Sequence, residues 1–149
     1  MGLIRFVFYV KVFRWGFVIH GGIDGFSRLI TFLNASNNNK STTVYDLFID
    51  ATSKHGIPSR IRVDHGGDNS DICIFMEGYR GTDRGSAIRG KSSHNQRNER
   101  LWVELWDAVI NEYYDLFSYM EDSAILDLTS ARHMWAFQYG FFNLESINH

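Results

Sequence analysis

The chain has 149 residues, of which 44% are hydrophobic, 15% aromatic and 21% charged. This length favours one domain, and the apolar content is enough for a core and too high for a disordered chain. The formal net charge of −2 gives no indication of a nucleic-acid partner, and the single cysteine, Cys73, excludes an intrachain disulfide and a cysteine-based zinc site. A lone cysteine fits a reducing compartment, which favours an intracellular location with the nucleus as one option.

The first third of the chain predicts three strands in succession. Residues 4–13 and 16–20 are rich in Phe, Val and Ile, as is typical of strands. The basic residues Arg5, Lys11 and Arg14 interrupt the first 19 positions, and a membrane span needs about 20 apolar residues in a row, so we expect no membrane partner. The pair Asp24-Gly25 before a further apolar run at 28–33 indicates a hairpin, and hence an antiparallel meander.

The middle of the chain alternates helices with short strands. Ser41 or Thr42 can cap the start of a helix that ends at Gly56, and Pro58 prevents its continuation. A short buried strand at 57–63, a helix at 69–79 and a strand at 86–89 follow. A long helical pattern starts at Asn95, and an aromatic tail predicts a helix around 131–139. The order predicts an α/β domain whose sheet is antiparallel on one side and parallel after the helical crossover.

Charge is distributed unevenly along the chain. Residues 80–100 contain six basic residues against two acids, a local charge of +4, whereas 101–149 contain one basic residue against eight acids, a local charge of −7. A basic stretch of this kind is typical either of phosphate binding or of a solvated loop, and composition alone leaves both open. Its basic members are Arg80, Arg84, Arg89, Lys91, Arg97 and Arg100.

Two acids lie where carboxylates can be held rigidly. Asp64 follows a predicted strand, and Glu99 lies in the first turns of the long helix. Divalent cations such as Mg²⁺ prefer carboxylate oxygens, and a pair of such ions can activate the attacking oxygen and stabilise the leaving oxygen of a phosphodiester. Turn formation at Asp64 and helix-dipole compensation by Glu99 explain the same residues without any metal.

Three ordered blocks resemble the catalytic core of retroviral-type integrases. They are residues 19–30 (IHGGIDGFSRLI), 55–69 (HGIPSRIRVDHGGDN) and 93–102 (SHNQRNERLW), which together span most of 15–120. Between Asp64 and Glu99 there are 34 residues, close to the family's usual spacing. The third block is the most specific, and it is similar to integrase-core proteins of vertebrate genomes that descend from transposable elements.

The resemblance implies an RNase H-like fold, DNA integration by polynucleotidyl transfer, and Mg²⁺ or Mn²⁺ as cofactor. Asp64 and Glu99 would bind metal, and DNA and a second copy of the chain would be partners. The implied core spans residues 1–126, with a helical extension at 127–149. The nucleic-acid contacts implied by the resemblance are His94, Asn95, Gln96, Arg97 and Arg100.

One departure from the family pattern bears directly on activity. The family carries its first catalytic aspartate on the first strand, and alignment through Arg14-Trp15 places Val7 or one of its neighbours there, while residues 1–13 contain no acid at all. Asp24 falls at the hairpin turn, so we expect turn chemistry there rather than metal binding. We therefore expect a degenerate domain, either truncated at its first strand or diverged.

Two non-catalytic functions remain open beside the enzyme. One is a nucleic-acid-binding module that uses the basic stretch, with affinity that falls steeply with salt. The other is a protein-interaction domain that uses the acidic, aromatic C-terminal third. Its surface residues would be Trp106, Tyr113, Tyr114, Phe117 and Tyr119.

Overall fold

A five-stranded mixed sheet dominates the first part of the molecule. In the computed structural model its strands are β1 (Arg5–Val12), β2 (Val18–Asp24), β3 (Ile30–Ser36), β4 (Arg60–Val63) and β5 (Ala87–Arg89). Their spatial order is β3-β2-β1-β4-β5. The pairs β1–β2 and β2–β3 are antiparallel, whereas β1–β4 and β4–β5 are parallel. The predicted meander followed by parallel strands is therefore confirmed.

The structure describes residues 5–12, 14–63, 69–90, 100, 103–104 and 106–147. The chain divides into two compact units, Met1–Ser92 and Ser93–His149. The first unit contains the sheet and two helices, and the second contains helices. The division predicted between residues 126 and 127 stays a prediction.

Two helices, α1 (Ser41–His55) and α2 (Ser70–Arg80), pack with the sheet around an aliphatic core. Gly56 ends α1 at a φ of 85°, and its N–H donates to the Thr52 carbonyl at 2.9 Å. Only glycine adopts this backbone region readily, which explains the stop signal seen in the sequence. The core consists of Phe32, Val44, Phe48, Ala51, Ile61, Val63, Ile72, Cys73 and Met76.

The Ser41 hydroxyl serves the neighbouring helix rather than its own. No side chain caps the start of α1, and Ser41 is the first helical residue after Lys40. Its Oγ accepts a hydrogen bond from the Asp71 N–H at 3.2 Å and lies 3.4 Å from the Ser70 Oγ. Ser41 therefore joins the starts of α1 and α2, and the prediction that it or Thr42 caps α1 is wrong because tertiary packing provides the hydroxyl with a better donor.

The second unit is built from helices. Residues 103–104 are helical, Trp106–Ile110 form a π-helical turn, and α3 (Asn111–Asp122) and α4 (Ala131–Ile147) follow. The Phe117 ring lies edge-on to Phe137 and Phe141, with centroid distances of 4.6 and 5.7 Å. Such edge-to-face pairs stabilise beyond their buried area. The predicted start of the long helix at Asn95 lies outside the described residues.

Candidate metal and nucleic-acid site

The carboxyl end of β4 is fixed by burial on both sides of the segment that carries Asp64. Val63, the last residue of β4, is 2% exposed, and Asn69, directly before α2, is also 2% exposed. Asp64 follows Val63 in the sequence, but residues 64–68 lie outside the described part of the chain. The same holds for Glu99 and for the predicted contacts His94, Asn95, Gln96 and Arg97, so these assignments stay predictions.

The strand beside β4 offers no carboxylate. β1 runs parallel to β4, with Arg5 opposite Arg60, Phe6 opposite Ile61 and Val7 opposite Arg62. Arg62, the partner of Val7, is two residues before Asp64 in the sequence. The eight residues of β1, RFVFYVKV, contain neither Asp nor Glu. The residue types present on this strand do not fit a three-carboxylate metal site.

Asp24 is committed to the hairpin between β2 and β3. Its Oδ2 accepts hydrogen bonds from the Ser27 hydroxyl at 2.6 Å and the Ser27 N–H at 3.2 Å, and its Oδ1 accepts from the Phe26 N–H at 3.4 Å. Asp24 also pairs its N–H with the Leu29 carbonyl at 2.8 Å. This is the Asx-turn chemistry predicted for a turn aspartate.

The sheet register also separates Asp24 from the end of β4. Asp24 lies opposite Phe6, which lies opposite Ile61, two residues before Val63 and two strands away from Asp24. With strands about 4.8 Å apart and about 3.3 Å per residue, this separation is roughly 12 Å. This separation and the turn hydrogen bonds agree with the expectation of turn chemistry at Asp24, and its exclusion from a metal site stays a prediction.

One arginine of the basic stretch, Arg80, makes hydrogen bonds within the fold. The Arg80 guanidinium donates to the Ile57 carbonyl at 3.0 Å and to the Pro58 carbonyl at 3.4 Å, and it lies 5.1 Å from the Tyr79 ring centroid. Burial raises the pKa of the Cys73 thiol, and the charge and hydrogen bond of Arg89 oppose that rise. Because the Arg80 guanidinium binds within the fold, not all of the +4 charge of the stretch is available to DNA.

Arg80 is the structural residue that sequence reasoning missed. It was counted with the basic stretch, but it ties the last turn of α2 to the loop that enters β4. The sequence signal was its position in the last turn of a helix before Gly81, where a cation also stabilises the helix dipole. Which loop it would bind could not be read from the sequence, since that depends on how α2 crosses the sheet.

Arg100 is the one predicted nucleic-acid contact that the structure describes. Its side chain is 77% exposed, and its Nε lies 3.4 Å from the Glu104 Oε1, one turn further along. An exposed pair of this kind contributes little to stability, about 0.3–0.5 kcal/mol. Its guanidinium is therefore accessible to a phosphate that competes with Glu104.

Within the described ranges, no three His, Cys, Asp or Glu side chains come together as candidate metal ligands. His20 is buried, and its Nε2 donates to the Asn38 carbonyl at 3.1 Å, whereas His133 Nδ1 accepts from the Asp127 N–H at 3.2 Å. Both histidines thus make hydrogen bonds within the fold. No helix among the described residues has the length and hydropathy of a membrane span.

Comparison with solved structures shows the fold. Residues of this chain superpose on the HTLV-2 integrase catalytic core domain in complex with magnesium, trimeric form, with a TM-score of 0.52 and 15% identity over 93% of this chain and 84% of that one. The dimeric form of the same domain, also in complex with magnesium, gives a TM-score of 0.52 and 19% identity over 91% and 86% of the two chains. These likenesses establish an integrase-core, RNase H-like architecture.

The comparison with curated protein sequences finds no match. The family model for the integrase core domain matches residues 6–149. That match covers nearly the whole chain and includes the three blocks that carried the resemblance. The chain belongs to the integrase core domain family.

Proposed function

We propose that this chain is a DNA-binding integrase core whose strand-transfer activity is lost or strongly reduced. The register between β1 and β4 carries the proposal, because it brings Val7, and no acid of that strand, beside the strand that leads to Asp64. A catalytic core of this family would need a carboxylate at that place.

The proposed metal site is incomplete rather than absent. Asp64 and Glu99 are two carboxylates on separate elements, enough to hold one Mg²⁺ or Mn²⁺ weakly. A pair of cations needs further oxygen donors to balance charge and fill the coordination shell. Since β1 supplies none, the residues do not fit a two-metal centre.

The proposed DNA contacts divide by chemistry. Arg97 and Arg100 would bind phosphate, and His94, Asn95 and Gln96 would line the approach to the scissile bond. Phosphate contacts position a duplex without reading its sequence, so we expect little base preference. By family resemblance the chain would also form homodimers and descend from a transposable element.

A paired experiment tests binding and chemistry separately. Fluorescence anisotropy with a labelled duplex should show binding that weakens linearly in log salt, with Arg97→Ala and Arg100→Ala each lowering the slope by about 1. Strand transfer with Mg²⁺ or Mn²⁺ should stay at background in the natural sequence. Val7→Asp should raise it, and Glu99→Gln in the Val7→Asp background should abolish the gain.

Val12→Asp is the matched control for the gain of activity. It adds the same carboxylate to the same strand, five residues further along, or about 17 Å away. Circular dichroism checks that each variant stays folded. Robust transfer by the natural chain that Glu99→Gln removes would contradict the proposed loss of activity, and absence of DNA binding at low salt would contradict the proposal as a whole.

A protein-interaction function is the second candidate, and one observation favours it. Trp135 and Tyr139 stack on each other at 5.1 Å on α4, yet they are 66% and 60% exposed. Tyr113, Tyr114 and Tyr119 are exposed as predicted, whereas Phe117 is 7% exposed and the prediction that it lies on the surface is wrong because α4 covers it. The side chain of Trp106 lies outside the described residues. Failure of the chain to bind DNA would favour this protein-interaction function.

A further inference from the structure

Two arginines of β4 lie on the side of the sheet that faces away from the aliphatic core. Along this strand Ile61 and Val63 are buried in the core with α1 and α2, whereas Arg60 is exposed and Arg62 is partly exposed. Successive residues of a strand point to opposite faces, so both arginines are directed away from the two helices. We call this side of β1 and β4 the outer face.

The register of the sheet adds further cations to the outer face. Arg5 of β1 lies opposite Arg60, and the alternation along β1 places Lys11 on the same face as Arg5. Among the five described strands Asp24 is the single acid, and it lies opposite Phe6, a position of the other face. The strands therefore bring cations to the outer face without an acid to balance them.

The usual structural reasons for charged strand residues do not explain these cations. Proteins place charges on edge strands to prevent edge-to-edge pairing, but β1 and β4 are interior strands with a neighbour on each side. Like charges opposite each other on adjacent strands destabilise a sheet, so the pair Arg5 and Arg60 opposes folding. Lys54 is paired with Asp50, whereas no carboxylate of the described residues lies within ion-pair distance of Arg60 or Arg62. An anion from outside the chain would offset this repulsion.

We propose that the outer face binds the phosphate backbone of DNA, as a contact additional to residues 94–97 and 100. Arg60 and Arg62 are two residues apart on an extended strand, about 6.6 Å, which is close to the separation of neighbouring phosphates along one strand of a duplex. Guanidinium groups bind phosphate through two parallel N–H donors. The inference rests on the proposed DNA-binding function and gives that function a location within the described sheet.

Charge reversal at position 60 separates binding from folding. Arg60→Glu would place an acid opposite Arg5, and opposite charges on adjacent strands stabilise a sheet. The melting temperature of this variant should therefore equal or exceed that of the natural chain. Its affinity for a labelled duplex, measured by fluorescence anisotropy in 0.1 M salt, should nevertheless fall by about tenfold.

Neutral variants test each arginine by itself. Arg60→Gln and Arg62→Gln should each lower the slope of log affinity against log salt by about 1, because each removes one phosphate contact. Val7, and not a cation, lies opposite Arg62, so Arg62→Gln tests binding at a position where no like charges oppose each other.

Lys54→Glu is the matched control for Arg60→Glu. It makes the same change in net charge at an exposed position of α1, the helix that packs on the other face of the sheet. Since exposed charges are largely screened beyond about 10 Å in 0.1 M salt, its affinity for the duplex should stay close to that of the natural chain.

The outcomes separate the outer face from DNA binding in general. Equal losses of affinity in Arg60→Glu and Lys54→Glu, or no loss in Arg60→Glu and Arg62→Gln, would overturn the proposal. If Arg100→Ala weakens binding while the variants at 60 and 62 do not, DNA binding stands and the outer face alone is rejected. A natural chain that binds no duplex even at low salt would reject both.

Discussion

The two compact units of this protein differ in charge and in packing. Residues 1–92 carry twelve Lys and Arg against eight acids, a charge of +4, whereas residues 93–149 carry three against nine, a charge of −6. The first unit packs mainly aliphatic side chains between sheet and helices, and the second packs aromatic rings between two helices. The small net charge of the chain is therefore the sum of a basic first unit and an acidic second unit. For this reason the net charge of the whole chain is a poor guide to DNA binding.

The largest expected effect comes from the difference in packing. Phe48 is fully buried in the first unit and lies edge-on to Phe75 at 5.5 Å. Phe48→Ala should lower the free energy of unfolding by about 3–5 kcal/mol, because it removes buried surface and leaves a cavity. Phe117→Ala should cost less, about 3 kcal/mol, since its neighbours lie on helices with exposed faces that can close over the gap.

Urea denaturation followed by circular dichroism measures both changes. Phe26→Ala is the matched control, because its ring is 88% exposed and surface changes usually alter stability by under about 0.5 kcal/mol. If Phe117→Ala costs as much as Phe48→Ala, the second unit is packed as rigidly as the first and the contrast in packing fails.

A smaller expected effect on stability distinguishes Arg80, which binds within the fold, from Arg84, which is exposed. Arg80→Ala should lower the free energy of unfolding by about 1.5–3 kcal/mol, because charged hydrogen bonds to the Ile57 and Pro58 carbonyls are lost. Arg84 is exposed in the turn after α2, so Arg84→Ala should leave stability unchanged and weaken DNA binding instead. Arg80→Lys, which keeps the charge but not the planar fork, should remain destabilised.

Thermal unfolding and DNA anisotropy, measured on the same three variants, distinguish the two roles. Equal stability of Arg80→Ala and Arg84→Ala would show that the Arg80 hydrogen bonds contribute nothing. A loss of DNA affinity in folded Arg80→Ala as large as that in Arg84→Ala would place both charges in one binding surface.

These arginines also show how far the sequence predicts the structure. Local patterns were sufficient for the strands, for both helices of the first unit, for the stop at Gly56 and for the turn at Asp24, because each depends on residues within a few positions. The hydroxyl of Ser41 and the guanidinium of Arg80 bind groups 30 and 23 residues away. Such contacts depend on how the helices cross the sheet, which no short pattern contains.

The candidate site likewise has features that the sequence alone predicts and features that depend on the three-dimensional arrangement. Alignment through Arg14-Trp15 predicts Val7 or one of its neighbours at the first catalytic position, and in the sheet Val7 lies opposite Arg62 of β4. Asp64 and Glu99 stay predictions, because their geometry depends on segments outside the described residues. The strand-transfer experiment with Glu99→Gln therefore tests the role of Glu99.

The smallest expected effect concerns a single carboxyl group in the second unit. Asp127 precedes α4, and its Oδ1 accepts hydrogen bonds from the Thr129 hydroxyl at 2.6 Å and the Thr129 N–H at 2.9 Å. These bonds, the hydroxyl's first, lower the pKa of Asp127 below its usual range. Because the pKa is lowered on folding, the stabilisation is present above the unfolded pKa of about 3.9 and is lost as the pH falls through the folded value.

Thr129→Ala should therefore move the pKa of Asp127 upward, toward its usual value, while Thr129→Ser should keep it low. Carbon-13 NMR titration of the carboxyl group measures this shift directly, and because Asp127 is exposed we expect little change in overall stability. The shift should persist in high salt, since a short hydrogen bond depends less on screening than a distant charge does. A pKa that Thr129→Ala leaves unchanged would assign the lowering to the backbone N–H alone. In that case the turn before α4 would be held by main-chain geometry, in contrast with the Asp24 turn of the first unit, where a serine hydroxyl makes the shortest bond.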